Sequence, residues 1–338
     1  MALEPNGAPP NHTWHDAAVL RVLVTGITGF AGSHLAEHLV SLGDEVHGVA
    51  HEHPPFANLA AVQDRVRIHV GDITNLEDLR GALAGSRADA VVHLAGVAVP
   101  TIASADPVAA VRINVLGTAT LLTALEQHPH TRLVLASSAD VYGAPHRMPV
   151  DEDTPVRPAN VYAATKVAAE ALARELAARH GAPVVILRPA NQNGPRQHPG
   201  LAASAFAKQI AEAEAGLGEP VVRHGRLDAE RDFVDVRDMA RAYAAALGLA
   251  ESGTFNVGTG RAVAIAEILD ILIALARIPV RAELDPSRVR SGEPTRLALD
   301  TTLFRQKTGW SPRIALADSL RDTLDHWRSV SARQGARV

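Results

Sequence analysis

The stretch that most restricts the fold is VLRVLVTGITGFAGSHLAEHLVSLG, residues 19–43. A continuous apolar run of strand length ends on Gly26, and Gly29 and Gly32 follow at intervals of three. Apolar residues then recur at helical spacing until Gly43, a natural helix C-cap. A strand fed into a helix through a tight glycine turn opens a βαβ unit. Glycine lets a ligand approach the backbone closely, and the helix N-terminus offers free N–H groups to a phosphate. A glycine triplet alone is weak evidence. At the first strand–helix junction it points to a dinucleotide pyrophosphate held by Gly26, Thr28, Gly29, Phe30, Ala31 and Gly32.

The alternation continues down the chain. EVHGVA, VRIHVGDIT, ADAVVHLAG, TRLVLASS and APVVILRP read as further buried strands, with helices between them, including a long one around Val111 to Glu126. Continuous apolar strands alternating with amphipathic helices mean a parallel sheet covered on both faces. This is a doubly wound α/β fold, and its ligands bind at the carboxyl ends of the strands. After Arg188 loops lengthen, prolines recur and helices such as ASAFAKQIAEAEAG and AIAEILDILIALA dominate. The expected organisation is a disordered tail over 1–18, a dinucleotide-binding part over 19–189 plus about 233–260, and a smaller, mainly helical substrate lobe over 190–232 plus about 261–330.

Composition narrows the function. A chain of 338 residues, 47% hydrophobic and 21% charged, can bury the cores of two lobes. Its net charge of −4, with no long basic run, argues against a nucleic-acid groove. No apolar run reaches the roughly 18 residues of a membrane span, and the polar, proline-bearing opening lacks a signal pattern. The absence of cysteine removes disulfides, thiolate metal sites and a cysteine nucleophile, and fits a reducing cytoplasm. The histidines form no HExxH motif, and His51 and His53 sit beside two prolines, so no metal site is expected.

The chemistry concentrates in two short segments. ASSADVYG ends the strand TRLVLASS and places Ser137 and Ser138 where ligands bind in such folds. VYAATKVAAE puts Tyr162 and Lys166 four apart, one helical turn from each other on the same face. A hydroxyl, a phenol and an ammonium can converge on one carbonyl oxygen. The lysine charge is expected to lower the phenol's pKa toward the working range, because a nearby cation favours phenolate. At the end of the second strand, GVAHEHPP supplies neither a clean acid nor an arginine. His51 could lean on a phosphate and Glu52 could reach the ribose. The choice between NAD(H) and NADP(H) stays open.

Together these segments resemble an extended short-chain dehydrogenase/reductase of the sugar-nucleotide epimerase/dehydratase type, from Leu20 to about Arg328. The GxxGxxG motif is matched by Gly26, Gly29 and Gly32, YxxxK by Tyr162 and Lys166, and the strand-end Ser/Thr by Ser138. The resemblance implies a Rossmann-type fold and a nicotinamide cofactor. Asp72 would face the adenine beside Ile73, with Leu94, Ala95 and Gly96 of HLAG along the cofactor; Tyr162 and Lys166 would reach it as well. LRPANQNGPRQ, GRLDAERDFVDVRDMARAY and LDPSRVRSGEPT are similar to three blocks of the enzymes handling GDP-mannose derivatives, the GDP-6-deoxy-4-keto-mannose reductases in particular. By that likeness Asn191, Arg231 and Arg290 would hold the substrate diphosphate and Glu293 the nucleoside sugar, with Lys208 nearby.

The same likeness separates the possible reactions. Dehydratases of the family place an acid–base pair after the Ser/Thr, where this chain has Ala139 and Asp140. Alanine moves no proton, and Asp140 is one methylene shorter than the glutamate, which leaves it a weaker catalytic candidate. The implied activity is reduction of the C4 ketone of a nucleotide-activated 4-keto-6-deoxy sugar, GDP-4-keto-6-deoxy-D-mannose to GDP-D-rhamnose. The alternatives are a 4-epimerase or 4,6-dehydratase, and, from another class, a non-catalytic NAD(P)-sensing protein. Asn114 resembles the family's helix asparagine that supports the lysine; the alternative reading is a polar residue that bends its helix. Ala190 and Gln192 replace an aromatic and a histidine, which implies a roomier sugar pocket. Two alanine-rich helices, Val108 to Gln127 and Val161 to Arg179, would form a homodimer interface.

Overall fold

A computed structural model describes residues 19–289 and 296–335. The first part of the chain runs β1 (Arg21–Thr25), α1 (Phe30–Leu42), β2 (Glu45–Ala50), β3 (Val66–Val70), α2 (Leu76–Ser86), β4 (Ala90–His93), α3 (Pro100–Ala105), α4 (Pro107–Val111), α5 (Gly117–Leu125), β5 (Arg132–Ala136), α6 (Val161–Arg179) and β6 (Val184–Pro189). The remainder is β7 (Asn191–Asn193), α7 (Ala202–Glu214), β8 (Val221–His224), β9 (Glu230–Asp235), α8 (Val236–Ala246), β10 (Gly253–Val257), β11 (Ala262–Ala264), α9 (Ile265–Ala274), β12 (Arg281–Leu284), β13 (Arg296–Leu297), α10 (Thr302–Thr308) and α11 (Leu316–Gly335).

Seven parallel strands form the main sheet in the order β10-β6-β5-β4-β1-β2-β3. The strand order reverses between β1 and β4, so a crevice opens at their carboxyl ends, where such sheets bind ligands. One face is covered by α1 and α8, with Leu35, Leu39, Met239 and Tyr243 in the core. The other is covered by α2, α5 and α6 through Leu79, Leu83, Leu121, Leu125 and Leu176. Each of these fully buried leucines contributes roughly 1.5–3 kcal/mol of apolar burial. β10 closes one edge of the sheet. Leu297, Leu299, Phe304 and Trp310 return late in the sequence to the same core.

A third cluster joins α7, α9 and α11 through Phe206, Ile210, Ile268, Leu272, Leu320 and Leu324. This part is not helices alone. β7, β9, β11 and β13 form a small four-stranded sheet, and β8 pairs with β12. Phe233, on β9, packs in this third cluster.

The helix expected from Val108 to Gln127 is interrupted. Residues Arg112–Leu116 form a π-turn between α4 and α5, a distortion that often marks functional sites. Against the expectation of no such segment, Pro107–Leu125 is, by length and composition alone, apolar enough to cross a membrane. Its buried face, from Leu121 to Leu125, packs into the core beside the sheet.

Candidate active site

The crevice at the switch point is a cavity of about 580 Å³. Gly26, Thr28 and Gly29 line it from the glycine turn, His51 from beyond β2, Asp72 and Ile73 from beyond β3, and Leu94, Ala95 and Gly96 from beyond β4. Phe30, Ala31 and Gly32 begin α1 behind the turn and are not part of the cavity wall. Sequence reasoning missed Arg112 and Ile113, which the π-turn brings to the rim. Asp72 accepts hydrogen bonds from Thr74, and Arg112 pairs with it at 3.4 Å.

The turn fits a dinucleotide. Gly26 has φ +70°, and a Cβ there would stand 2.8 Å from the Ala95 backbone. A Cβ on Gly32 would lie 2.1 Å from the Gly26 carbonyl oxygen, so no side chain can be accommodated. Gly29 caps α1 with no side-chain hydrogen bond, which leaves the first-turn N–H groups free for a pyrophosphate.

Buried hydrogen bonds hold the floor of the crevice. Thr118 Oγ1 donates to the Asn114 carbonyl (2.6 Å), so it must accept from His93 Nε2 (3.0 Å). His93 Nδ1 then accepts from Thr25 Oγ1 at 2.7 Å, which fixes the neutral tautomer. Burial first, and then the Lys166 charge, push this imidazole down to about 3. Asn114 clasps Val97 in both directions and donates to Thr165 Oγ1 at 2.9 Å. It thus orders the helix that carries the lysine through Thr165.

The Asn160 side chain accepts from the Ala163 amide at 2.8 Å and fixes where α6 begins, putting Tyr162 in the first turn and Lys166 one turn on. Ser138 caps the short 3₁₀ turn Ala139–Tyr142 and hydrogen-bonds the Tyr162 phenol. Asp140 lies close enough to act on the same phenol. The expected lowering of the phenol is not observed. Burial, reinforced by the Asp140 charge, raises the Tyr162 pKa despite the Ser138 hydrogen bond. The physical reason lies in Lys166: its Nζ donates to the Ala136 carbonyl at 2.8 Å and stands 5.9 Å from the Tyr162 ring centroid. Burial in turn lowers Lys166 to about 8.

Ser138, Asp140, Tyr162 and Lys166 therefore meet at the end of β5. Of the residues expected to hold substrate, Asn191 lies on β7 and Arg231 on the adjoining β9, in the same small sheet. Arg231 is nearly buried and donates to the Glu230 carbonyl at 2.9 Å. Lys208, on α7, pairs with Glu212 and stands near the Trp327 ring. Arg290 and Glu293 lie outside the described residues. Gln192 Nε2 is 3.5 Å from the buried Tyr243 hydroxyl, a neighbour of Tyr162 that sequence reasoning did not anticipate.

A glycine-cradled dinucleotide crevice adjoining a Ser–Tyr–Lys cluster defines an NAD(P)-dependent oxidoreductase of the extended short-chain dehydrogenase/reductase type. A family profile described as GDP-mannose 4,6 dehydratase matches residues 23–323, and the chain belongs to that family. It is 35% identical to the GDP-6-deoxy-D-mannose reductase of Pseudomonas aeruginosa, over 91% of this chain and 97% of the relative. Among solved structures it superposes on RMD from Pseudomonas aeruginosa complexed with NADPH, with a TM-score of 0.79 and 31% identity, covering 92% of this chain and 100% of that one. The Thermus thermophilus UDP-glucose 4-epimerase complex with NAD gives a TM-score of 0.82 at 32% identity, covering 91% and 99%.

Proposed function

We propose that the chain reduces the C4 ketone of a nucleotide-activated 4-keto-6-deoxy sugar, with GDP-4-keto-6-deoxy-D-mannose as substrate and GDP-D-rhamnose as product. The observation that carries this reading is the turn after β5, where Ser138 is followed by the buried Ala139 and then Asp140. An epimerase or dehydratase of this kind must first take a proton from the C4 hydroxyl, which calls for a phenolate. A ketoreductase must give one, and burial with the Asp140 charge raises the Tyr162 pKa, which favours the protonated phenol. Ala139, buried next to Ser138, leaves that turn without the second acid–base group a dehydratase needs.

The nicotinamide cofactor, when bound, supplies the hydride to C4. Tyr162 donates its proton to the developing alkoxide, Ser138 hydrogen-bonds the same oxygen, and Lys166 provides positive charge beneath both. Asn191 and Arg231 hold the diphosphate, for which a guanidinium fork is suited. Mixing the protein with GDP-4-keto-6-deoxymannose and NADH or NADPH should bleach the nicotinamide absorbance. No bleaching with either cofactor would overturn the substrate assignment.

The cofactor preference follows from Glu52, which lines the crevice just beyond β2 with its carboxylate 2.9 Å from the His51 ring. A carboxylate there accepts from ribose hydroxyls and repels a 2′-phosphate. NADH should therefore bind more tightly than NADPH by about tenfold, and Glu52→Ser should narrow the gap. Equal affinities in the unmodified protein would contradict this.

A homodimer is part of the same reading. Ile102, Val108, Val111 and Leu116 expose apolar surface along α3, α4 and the π-turn, and Val108 is 79% exposed. Contiguous apolar exposure of this kind suits a partner surface. A monomer in sedimentation at micromolar concentration would rule it out.

A further inference from the structure

The face of α6 that carries Tyr162 and Lys166 continues one turn further, to Glu170. Residues 162, 166 and 170 lie on consecutive turns of one helical face, and each engages one residue of the three that end β5. Tyr162 meets Ser138, Lys166 donates to the Ala136 carbonyl, and Glu170 accepts from Ser137 Oγ. Glu170 is wholly buried, and Lys166 nearly so.

We propose that Glu170 is the counter-charge of Lys166, a positioning carboxylate that keeps the buried ammonium protonated and aimed at the strand end where the ketone is reduced. Arg188 makes a bidentate pair with Glu170, Nε to Oε1 at 2.9 Å and Nη2 to Oε2 at 2.8 Å, and Arg174 adds a further bond to Oε2. Although burial opposes its charge, these cations and the Ser137 hydroxyl hold the Glu170 carboxyl below its usual range. That direction favours the charged carboxylate. The other titratable groups near Lys166 cannot take this part. His93, from β4, is locked neutral by Thr25 and Thr118. Burial raises the Tyr162 pKa, and Asp140 bears on that phenol. Burial alone pulls Lys166 down, and Glu170 is the charge that opposes the fall.

A purely structural Glu170 would exist only to neutralise Arg188. The two roles separate in a direct titration of Lys166, which is practical because the chain has three lysines, Lys166, Lys208 and Lys307. The role given to Lys166 in catalysis rests on the function proposed above, but this measurement needs no substrate. Protein labelled with 13C at the lysine ε-carbon, assigned with Lys208→Arg and Lys307→Arg, should show Lys166 titrating near 8. In Glu170→Gln that midpoint should fall by roughly one unit or more. Because Arg188 is then unpaired, Glu170→Gln/Arg188→Gln provides a companion without a lone buried charge; loss of the Arg188 cation offsets part of the effect, so its midpoint should fall less. Ser137→Ala, which removes a hydrogen bond and no charge, should leave the midpoint in place. An unchanged midpoint in the Glu170 variants would overturn the proposal, as would an equal shift in Ser137→Ala.

Discussion

Tyr162→Phe is expected to lower kcat by about three orders of magnitude, with cofactor affinity changed only a few-fold. The phenol is the group placed to protonate the C4 alkoxide, and loss of a positioned general acid typically costs on the order of 10²–10⁴ in rate. Ser138 remains beside the oxygen in the variant, but it caps the following turn by accepting from the Asp140 amide and has no base to resupply its proton. The crevice does not depend on the phenol hydroxyl, because Tyr162 is not among the residues that wall it. Stopped-flow turnover together with cofactor titration by fluorescence checks both halves. A variant that turns over within tenfold of the parent would remove Tyr162 from the chemistry.

The second large effect is on stability. Arg188→Leu should cost about 3–5 kcal/mol, because it leaves Glu170 buried without its main partner. Arg188 Nη1 also donates to the Tyr142 hydroxyl at 2.9 Å, and that hydroxyl donates to Asn256 Oδ1 at 2.7 Å, so one substitution disturbs β6, α6 and β10 together. The pH dependence has a definite sign. In the parent, Glu170 has a depressed pKa and contributes stability above the unfolded carboxylate range that is lost as pH falls. In the variant, burial without Arg188 raises its pKa, and the penalty present at neutral pH is relieved as the carboxyl takes up a proton. The stability difference should therefore shrink from pH 7 toward about 4.5. Chemical denaturation of both proteins across that range measures it, and a constant difference would contradict the role given to the pair.

Much of the site could be read in the sequence because its parts are local. Gly26, Gly29 and Gly32 stand at a strand–helix junction that hydrophobic periodicity alone locates, and Tyr162 and Lys166 share a helical face by their spacing. What escaped depends on tertiary contacts. Asn114 is drawn to Val97 and Thr165 from distant segments, and nothing in RINVLGT announces the π-turn that carries Arg112 to the rim. β7 and β9 pair across a long separation with only three residues on β7, too few to show a period of two. The phenol was misjudged for a related reason. Spacing placed the lysine near it but could not reveal that the ammonium is committed to the Ala136 carbonyl while burial protects the phenol's proton. Lys208, expected at the substrate by likeness of segment, pairs with Glu212 one turn along its own helix.

The central claim is that hydride arrives at C4 of a keto sugar as Tyr162 gives up its proton. Its most direct test is to supply reduced nicotinamide deuterated at the transferring position, with GDP-4-keto-6-deoxymannose, and to read the product sugar by NMR. The expected result is deuterium at C4 in step with cofactor consumed, absent from the Tyr162→Phe reaction. Unreacted ketone and intact cofactor, alongside turnover of GDP-mannose or UDP-glucose with no net cofactor consumption, would contradict it and make the protein a dehydratase or epimerase.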